Sequence, residues 1–227
     1  MIEYFNGTVF NTDEKAIVNT VNCTGVMGAG LALEFALRYP NMLTDYEKKC
    51  ESRMIQVGLV DYFVDNDITI INFPTKWHFK YPSKKIWIED GLKNFVKSYK
   101  ENNIQSVAFP KLGTYNGGLL WDEIKPLMET YLKGLDIKVY ICLDNENTAD
   151  GVEAEMINVF SNLKLDNIKK ELKLSSKQVD ILKQNQFINR FWKIKELEGI
   201  GFSTYKKIFN YCYDLIKNKK AEQISWF

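Results

Sequence analysis

Histidine is almost absent from this sequence and cysteine is scattered. His78 is the only histidine in 227 residues, and Cys23, Cys50, Cys142 and Cys212 form no Cys-x-x-Cys pair. The common zinc spacings and a disulfide framework are thereby excluded, so no metal site is expected. No apolar run approaches the length needed to cross a bilayer, and the opening Met-Ile-Glu-Tyr-Phe lacks the basic start and apolar core of a signal peptide. The expected setting is soluble, reducing and cytoplasmic, with no membrane partner. An excess of one charge is missing too: the net charge is +1, with 16 Lys/Arg against 18 Asp/Glu in residues 1–145 and 14 against 11 in residues 146–227. That balance by itself marks no nucleic-acid footprint. Internal repeats and low-complexity runs are also lacking.

What is present is a globular composition, 45% hydrophobic and 26% charged, in a chain long enough for one full domain and a smaller appendage. Short β-branched runs at Ala16 to Val21, Ile68 to Phe73, Ser106 to Phe109 and Ile137 to Cys142 read as buried strands. Helical patterns near 30–38, 41–51, 87–101 and 121–133 alternate with them, which predicts an α/β fold with helices on both faces of a sheet. After the polar stretch Asp144 to Gly151 the texture becomes helical, with helices expected near 152–164, 176–193 and 203–217. The expected division is 1–145 and 151–227.

Ligands in such sheets bind beyond the carboxyl ends of the strands. Three turns there are unusual: Asn22 to Gly30, Pro74 to Tyr81, and Gly113 to Gly118. The first runs from a strand into a helix through Asn22-Cys-Thr-Gly-Val-Met-Gly-Ala-Gly30. Unpaired N–H groups and the positive end of a helix dipole make such a turn a phosphate site. Gly25-x-x-Gly28-x-Gly30 matches neither the dinucleotide fingerprint nor the P-loop. A tight turn with no ligand is the plain alternative, although the amides of Asn19, Asn22 and Asn72 at expected strand ends are suited to bonding ligand hydroxyls.

At these residues the chain resembles a known family. Asn19-Thr-Val-Asn-Cys-Thr-Gly-Val-Met-Gly-Ala-Gly-Leu-Ala32 is similar to the first binding loop of macrodomains of the DarG type. Asn72-Phe-Pro-Thr-Lys-Trp-His78, Ile88-Glu-Asp-Gly-Leu, and Pro110-Lys-Leu-Gly113 through Gly117-Gly-Leu-Leu-Trp121 resemble later family segments in the same order. The likeness covers about residues 2–143. It implies a three-layer α/β/α macrodomain with a central mixed sheet, followed by a small helical C-terminal unit. It implies an ADP-ribosyl glycohydrolase that acts on modified DNA bases, with ADP-ribose or ADP-ribosylated DNA as partner and no cofactor. A macrodomain that binds or sequesters ADP-ribose without turnover is the alternative.

The resemblance assigns Asn22 to the distal ribose and Gly28, Gly30 and Leu31 to ribose and pyrophosphate, with Asn19, Gly25, Val26 and Met27 in the same loop. Gly113, Thr114, Asn116, Gly117 and Gly118 are expected to close over the diphosphate, with Thr75 beside them. Lys76 matches the catalytic lysine, which acts at the anomeric carbon of the distal ribose and must be partly neutral to be a nucleophile. Trp77, His78 and Lys80 are expected substrate contacts. His78, the one histidine, is a candidate general acid, but an aromatic wall with Trp77 and Phe79 is an equally good reading. Two departures stand out. Tyr115 occupies a family glycine position, and Gly7-Thr8, next to Val9, replaces the usual Gly-Asp or Gly-Asn that bonds adenine.

In DarG the region after the macrodomain binds a DarT-like toxin, which makes such a toxin, or another protein, the expected partner of the helical unit. Leu197 to Ile208 resembles the Gly-x-Gly hairpin of helix-hairpin-helix motifs. A helix C-cap at Gly199 or Gly201 with an N-cap at Ser203 explains it equally well. Phe187, Phe191, Trp192, Phe202, Tyr205 and Phe209 are expected in that unit's core.

Overall fold

The computed structural model describes residues 1–145 and 147–224. Residue 146, in the expected linker, and residues 225–227, at the end of the expected C-terminal unit, lie outside the described residues. The chain divides into two compact units, Met1–Asp144 and Asn145–Phe227.

The first unit carries six strands: β1 (Ile2–Phe5), β2 (Ala16–Asn22), β3 (Asp61–Asp65), β4 (Ile68–Lys76), β5 (Ser106–Pro110) and β6 (Lys138–Cys142). They form one sheet in the order β1-β6-β5-β2-β4-β3. All neighbours are parallel except β3, which runs antiparallel to β4. Four helices connect them: α1 (Gly30–Arg38), α2 (Pro40–Glu51), α3 (Lys85–Ser98) and α4 (Trp121–Leu132). The strand period of two decides which residue feeds which layer. Ala16 and Val18 of β2 pack with Leu92, Phe95 and Met128 of α3 and α4, whereas Ile17 and Val21 pack with Phe35, Met42 and Tyr46 of α1 and α2. Because both faces are covered, the inner strands read as continuous apolar runs, and those runs are where strands were expected.

Strands β1 and β3 were not expected. Both lie at sheet edges, with burial patterns that are mostly intermediate or exposed, so neither shows the apolar run of an inner strand.

The second unit is helical: α5 (Gly151–Ser161), α6 (Leu165–Ile168), α7 (Ser176–Gln184), a 3-10 segment (Phe191–Glu196) and α8 (Phe202–Ile224). The helix expected over 176–193 stops at Gln184. It starts with a capping box, in which the Gln178 N–H donates to Ser175 Oγ (3.2 Å) and the Ser175 N–H donates to Gln178 Oε1 (2.9 Å). The chain then breaks so that Arg190 can bury its guanidinium against Glu153, with Nε 3.0 Å from Oε2. Phe191, Tyr205 and Phe209 are in the core as expected. Phe187 is not: it lies in the break and is 96% exposed, and Phe202 is exposed at the start of α8. Trp192 is half-buried. Ser203 is not the N-cap, because α8 begins one residue earlier.

Candidate active site

The site begins with a slip in the sheet. Along β2 and β4 the register runs Val21 opposite Pro74, then shifts so that Asn22 faces Lys76. A bulge of this kind re-aims side chains at a strand end. Here it sets the first loop's asparagine beside the expected nucleophile, and the Cys23 N–H extends the pairing to the Trp77 carbonyl (3.2 Å).

Asn22 holds its own loop together. Its Oδ1 accepts from the Thr24 N–H (2.9 Å) and hydroxyl (2.7 Å), and its Nδ2 donates to the Val26 carbonyl (2.6 Å). From below, the buried Tyr46 hydroxyl donates to the Asn22 carbonyl (2.6 Å). With the turn fixed, Gly28, Ala29 and Gly30 are exposed at the start of α1, where first-turn N–H groups have no acceptor within the helix. Gly30 has φ +56°, and a Cβ there would stand 2.7 Å from Asn116 Nδ2 in the second loop. The two loops therefore touch at position 30, where a side chain would have to displace the Asn116 amide and the left-handed backbone favours glycine.

The second loop is tied from outside. The Ser83 N–H donates to the Gly117 carbonyl (2.8 Å), and a Cβ on Gly117 would meet the Ser83 hydroxyl at 2.7 Å. Tyr115, with φ +45°, turns its half-exposed ring toward the end of β6. Its hydroxyl accepts from Lys111 Nζ (2.7 Å) and donates to the Asp144 carbonyl (3.1 Å), while the Lys111 ammonium sits 4.6 Å from the ring centre. The side chain that replaces a family glycine thus latches the loop to the neighbouring strand end.

Lys76, the last residue of β4, is where the loops meet. It faces Asn22 in register, and its Nζ donates to the Asn116 carbonyl. Burial holds its amine below the ordinary lysine range, the direction a nucleophile requires. Cys23, the other nucleophile nearby, is pushed up to about 11, chiefly by burial, so its thiol is inert at neutral pH.

Not every expected contact reaches the cleft. Asn19 is corrected: it is mid-strand and 0% exposed, and its Nδ2 donates to Asn72 Oδ1 (3.1 Å), the residue opposite it in β4. Asn72 in turn donates to Asp61 Oδ2 (3.2 Å), which the Lys49 ammonium pairs through the other carboxylate oxygen (2.7 Å). Asn19 lies inside its apolar run and β4 continues past its own run to Lys76, so both amides are internal. Val9, Met27 and Thr75 are also buried, and so is Thr8, which precedes the short 3-10 turn Val9–Asn11. His78 is built into its own turn, accepting the Lys80 N–H on Nδ1 (3.2 Å) and stacking on Phe79 with ring centres 4.5 Å apart. Tyr46, Ser83 and Lys111 were missed. Tyr46 carried a signal as the i+4 partner of Met42 on the buried face of α2; the other two had none, because they matter only through contacts distant in sequence.

Fold and site together define an α/β protein in which two glycine loops meet at the strand carboxyl ends beside a partly desolvated lysine, an arrangement suited to a phosphate-bearing sugar. The family model for the macro domain matches residues 18–128. The solved macrodomain of Mycobacterium tuberculosis DarG is similar at 42% identity and a TM-score of 0.61, over 63% of this chain and 97% of that one. The chain belongs to the macrodomain family. A DNA ADP-ribosyl glycohydrolase of Mycobacterium tuberculosis is 42% identical over 160 residues, 67% of this chain and 46% of that protein. Thermosipho africanus DarTG, solved in complex with ADP-ribose, matches at 30% identity and a TM-score of 0.61, over 66% of this chain and 43% of that one. The chain spans about half the length of the curated relatives it matches. Among the described residues no helix is long and apolar enough to cross a membrane, and no group of three or more His, Cys, Asp or Glu is placed to hold a metal ion.

Proposed function

We propose that this chain is an ADP-ribosyl glycohydrolase that removes ADP-ribose from modified DNA bases. The observation that carries the reading is Lys76, partly desolvated, facing Asn22 in register and bonded to the Asn116 carbonyl. The relatives named DNA ADP-ribosyl glycohydrolase support the substrate. Gly28 to Leu31 and Gly113 to Gly118 grip the diphosphate through backbone N–H groups, and Asn22 fixes the first loop around the distal ribose. The neutral Lys76 amine attacks the anomeric carbon, and the bond to the base breaks with its electron pair going to the base. The proton that the attacking nitrogen sheds satisfies the departing base. The lysine-bound sugar opens to an imine, and water then adds across that carbon–nitrogen bond, restoring Lys76 and releasing ADP-ribose.

The test is single-stranded DNA carrying ADP-ribosylated thymidine, incubated with the protein and with Lys76→Ala. Wild type releases ADP-ribose, and borohydride added during turnover leaves a mass adduct on Lys76. Unchanged DNA beside measurable ADP-ribose binding would sink the enzyme and leave a binding module. A DarT-like toxin as partner of residues 145–227 belongs to the same proposal, supported by the fusion of the two activities in a Thermosipho africanus relative. Deleting those residues then abolishes toxin protection while hydrolysis continues.

A further inference from the structure

The loop after β4 has a feature that the cleft does not use. Residues 77–87, Trp-His-Phe-Lys-Tyr-Pro-Ser-Lys-Lys-Ile-Trp, contain three lysines and no acidic residue, in a chain whose net charge is +1. Three large rings in this short stretch face solvent: Trp77 is 59% exposed, Phe79 41% and Tyr81 58%. Exposed rings crowded into one loop mark an interaction surface.

This loop is braced. The Trp77 carbonyl accepts the Cys23 N–H, the Tyr81 N–H donates to the His78 carbonyl (3.1 Å), and the Ser83 N–H holds the Gly117 carbonyl (2.8 Å). His78 is its hub, stacked on Phe79 and 5.4 Å from the ring of Tyr81. The rings are therefore held outward by a turn tied at both ends to the two binding loops, and little conformational freedom is left to lose on binding. Lys80, Lys84 and Lys85 are exposed among them, with the Lys84 ammonium 4.8 Å from the Trp87 ring centre. The next acidic residues, Glu89 and Asp90, face Lys93 at 2.8 and 3.6 Å.

We infer that Trp77, Phe79 and Tyr81, with Lys80, Lys84 and Lys85, form a platform for an unpaired nucleic-acid strand that continues from the base presented to Lys76. This rests on the glycohydrolase reading above and names the part of the substrate outside the cleft. Ring faces stack on any base whose own face is bare, and lysines meet the phosphates between. A duplex hides those faces. An acidic peptide matches the lysines but leaves the three rings unexplained, so the observations favour the strand.

The experiment uses the full chain and an unmodified, fluorescent single-stranded oligodeoxynucleotide, with a hairpin duplex and poly-glutamate as competitors. The single strand binds and both competitors displace it poorly. Trp77→Ala and Phe79→Ala each weaken binding by on the order of tenfold, while Trp77→Phe keeps most of it. Replacing Lys80, Lys84 and Lys85 by Ala lowers the slope of log affinity against log salt by about 0.7 for each lysine engaged. On ADP-ribosylated oligonucleotide, Phe79→Ala and Tyr81→Ala raise KM and leave kcat. Oligonucleotide affinity that ignores the ring substitutions, or equal binding of duplex or poly-glutamate, overturns the platform. Release with an unchanged KM in those variants also overturns it while the glycohydrolase stands. No release at all, with ring-dependent strand binding intact, removes the glycohydrolase and keeps the platform.

Discussion

The two glycine loops do similar work with different side-chain bracing. The loop after β2 is braced from within, by the Asn22 amide across its own turn and by Tyr46 beneath it. The loop after β5 closes its turn with backbone bonds, the Gly117 N–H to the Thr114 carbonyl (2.8 Å) and the Gly118 N–H to the Tyr115 carbonyl (2.9 Å), and takes its further bracing from without, by Ser83, by the Lys76 amine on Asn116, and by Tyr115 reaching to Asp144. A loop spanned by its own asparagine side chain depends less on its neighbours. A loop held by neighbours, one of them the nucleophile, is coupled to the chemistry.

Lys76→Ala tests that coupling with the largest expected effect. Hydrolysis falls on the order of 10³-fold or more in single-turnover release of ADP-ribose. The second loop loses one tie only, so calorimetry finds ADP-ribose affinity within several-fold of wild type. The wild-type rate carries a pH signature. Because burial lowers the Lys76 pKa, the neutral fraction, and with it the rate, climbs as pH rises from 7 toward the lowered value and levels off below the ordinary lysine range. The linkage has a fixed sign: in the window between the lowered folded value and the ordinary one the unfolded chain binds more protons, so stability rises with pH there, and the cost of burial is fully present below it. A flat profile over that range would remove the neutral amine from the mechanism.

Gly30→Val is next. It imposes φ +56° on a β-branched residue and drives a side chain toward Asn116 Nδ2, so ADP-ribose affinity drops by about 10²-fold and stability by about 1–3 kcal/mol. Adding Asn116→Ala relieves the clash but not the backbone strain, and the affinity returns in part. If it does not return at all, the close approach of the loops is not what position 30 protects.

Asn22→Ala leaves the N–H and hydroxyl of Thr24 and the Val26 carbonyl short of a partner, at about 1–3 kcal/mol of stability by denaturant midpoint and a comparable loss in binding. Tyr46→Phe removes the hydroxyl shared between the Asn22 carbonyl (2.6 Å) and Oδ1 (3.3 Å) and costs about 1 kcal/mol. An Asn22→Ala loss no larger than that of Tyr46→Phe would show that the first loop is not braced from within.

Tyr115→Phe has the smallest effect. It deletes the latch to Lys111 and Asp144 at an exposed site, so affinity changes by only about two- to fivefold, and the second loop exchanges amide hydrogen faster while the first does not. Equal acceleration in both loops would dissolve the distinction between them.

Much of this was legible in the chain itself. Inner strands buried on both sides leave continuous apolar runs, and a glycine-bearing turn entering a helix is local chemistry, so β2, β4, β5, β6 and the Asn22 to Gly30 loop followed from residues near one another in sequence. Edge strands bury too little to leave that mark, which is why β1 and β3 did not appear, and the helix expected over 176–193 stopped at Gln184, yielding to the distant claim of Glu153 on Arg190.

The sequence by itself determined the α/β class, the two glycine loops and the lysine between them, because each is written in local pattern or in a family motif. Only the tertiary structure decided what each residue does there. The strand register buried Asn19 against Asn72, a bulge turned Asn22 to face Lys76, and packing swung Tyr115 toward β6. Those outcomes depend on contacts between residues tens of positions apart, and no local pattern encodes them.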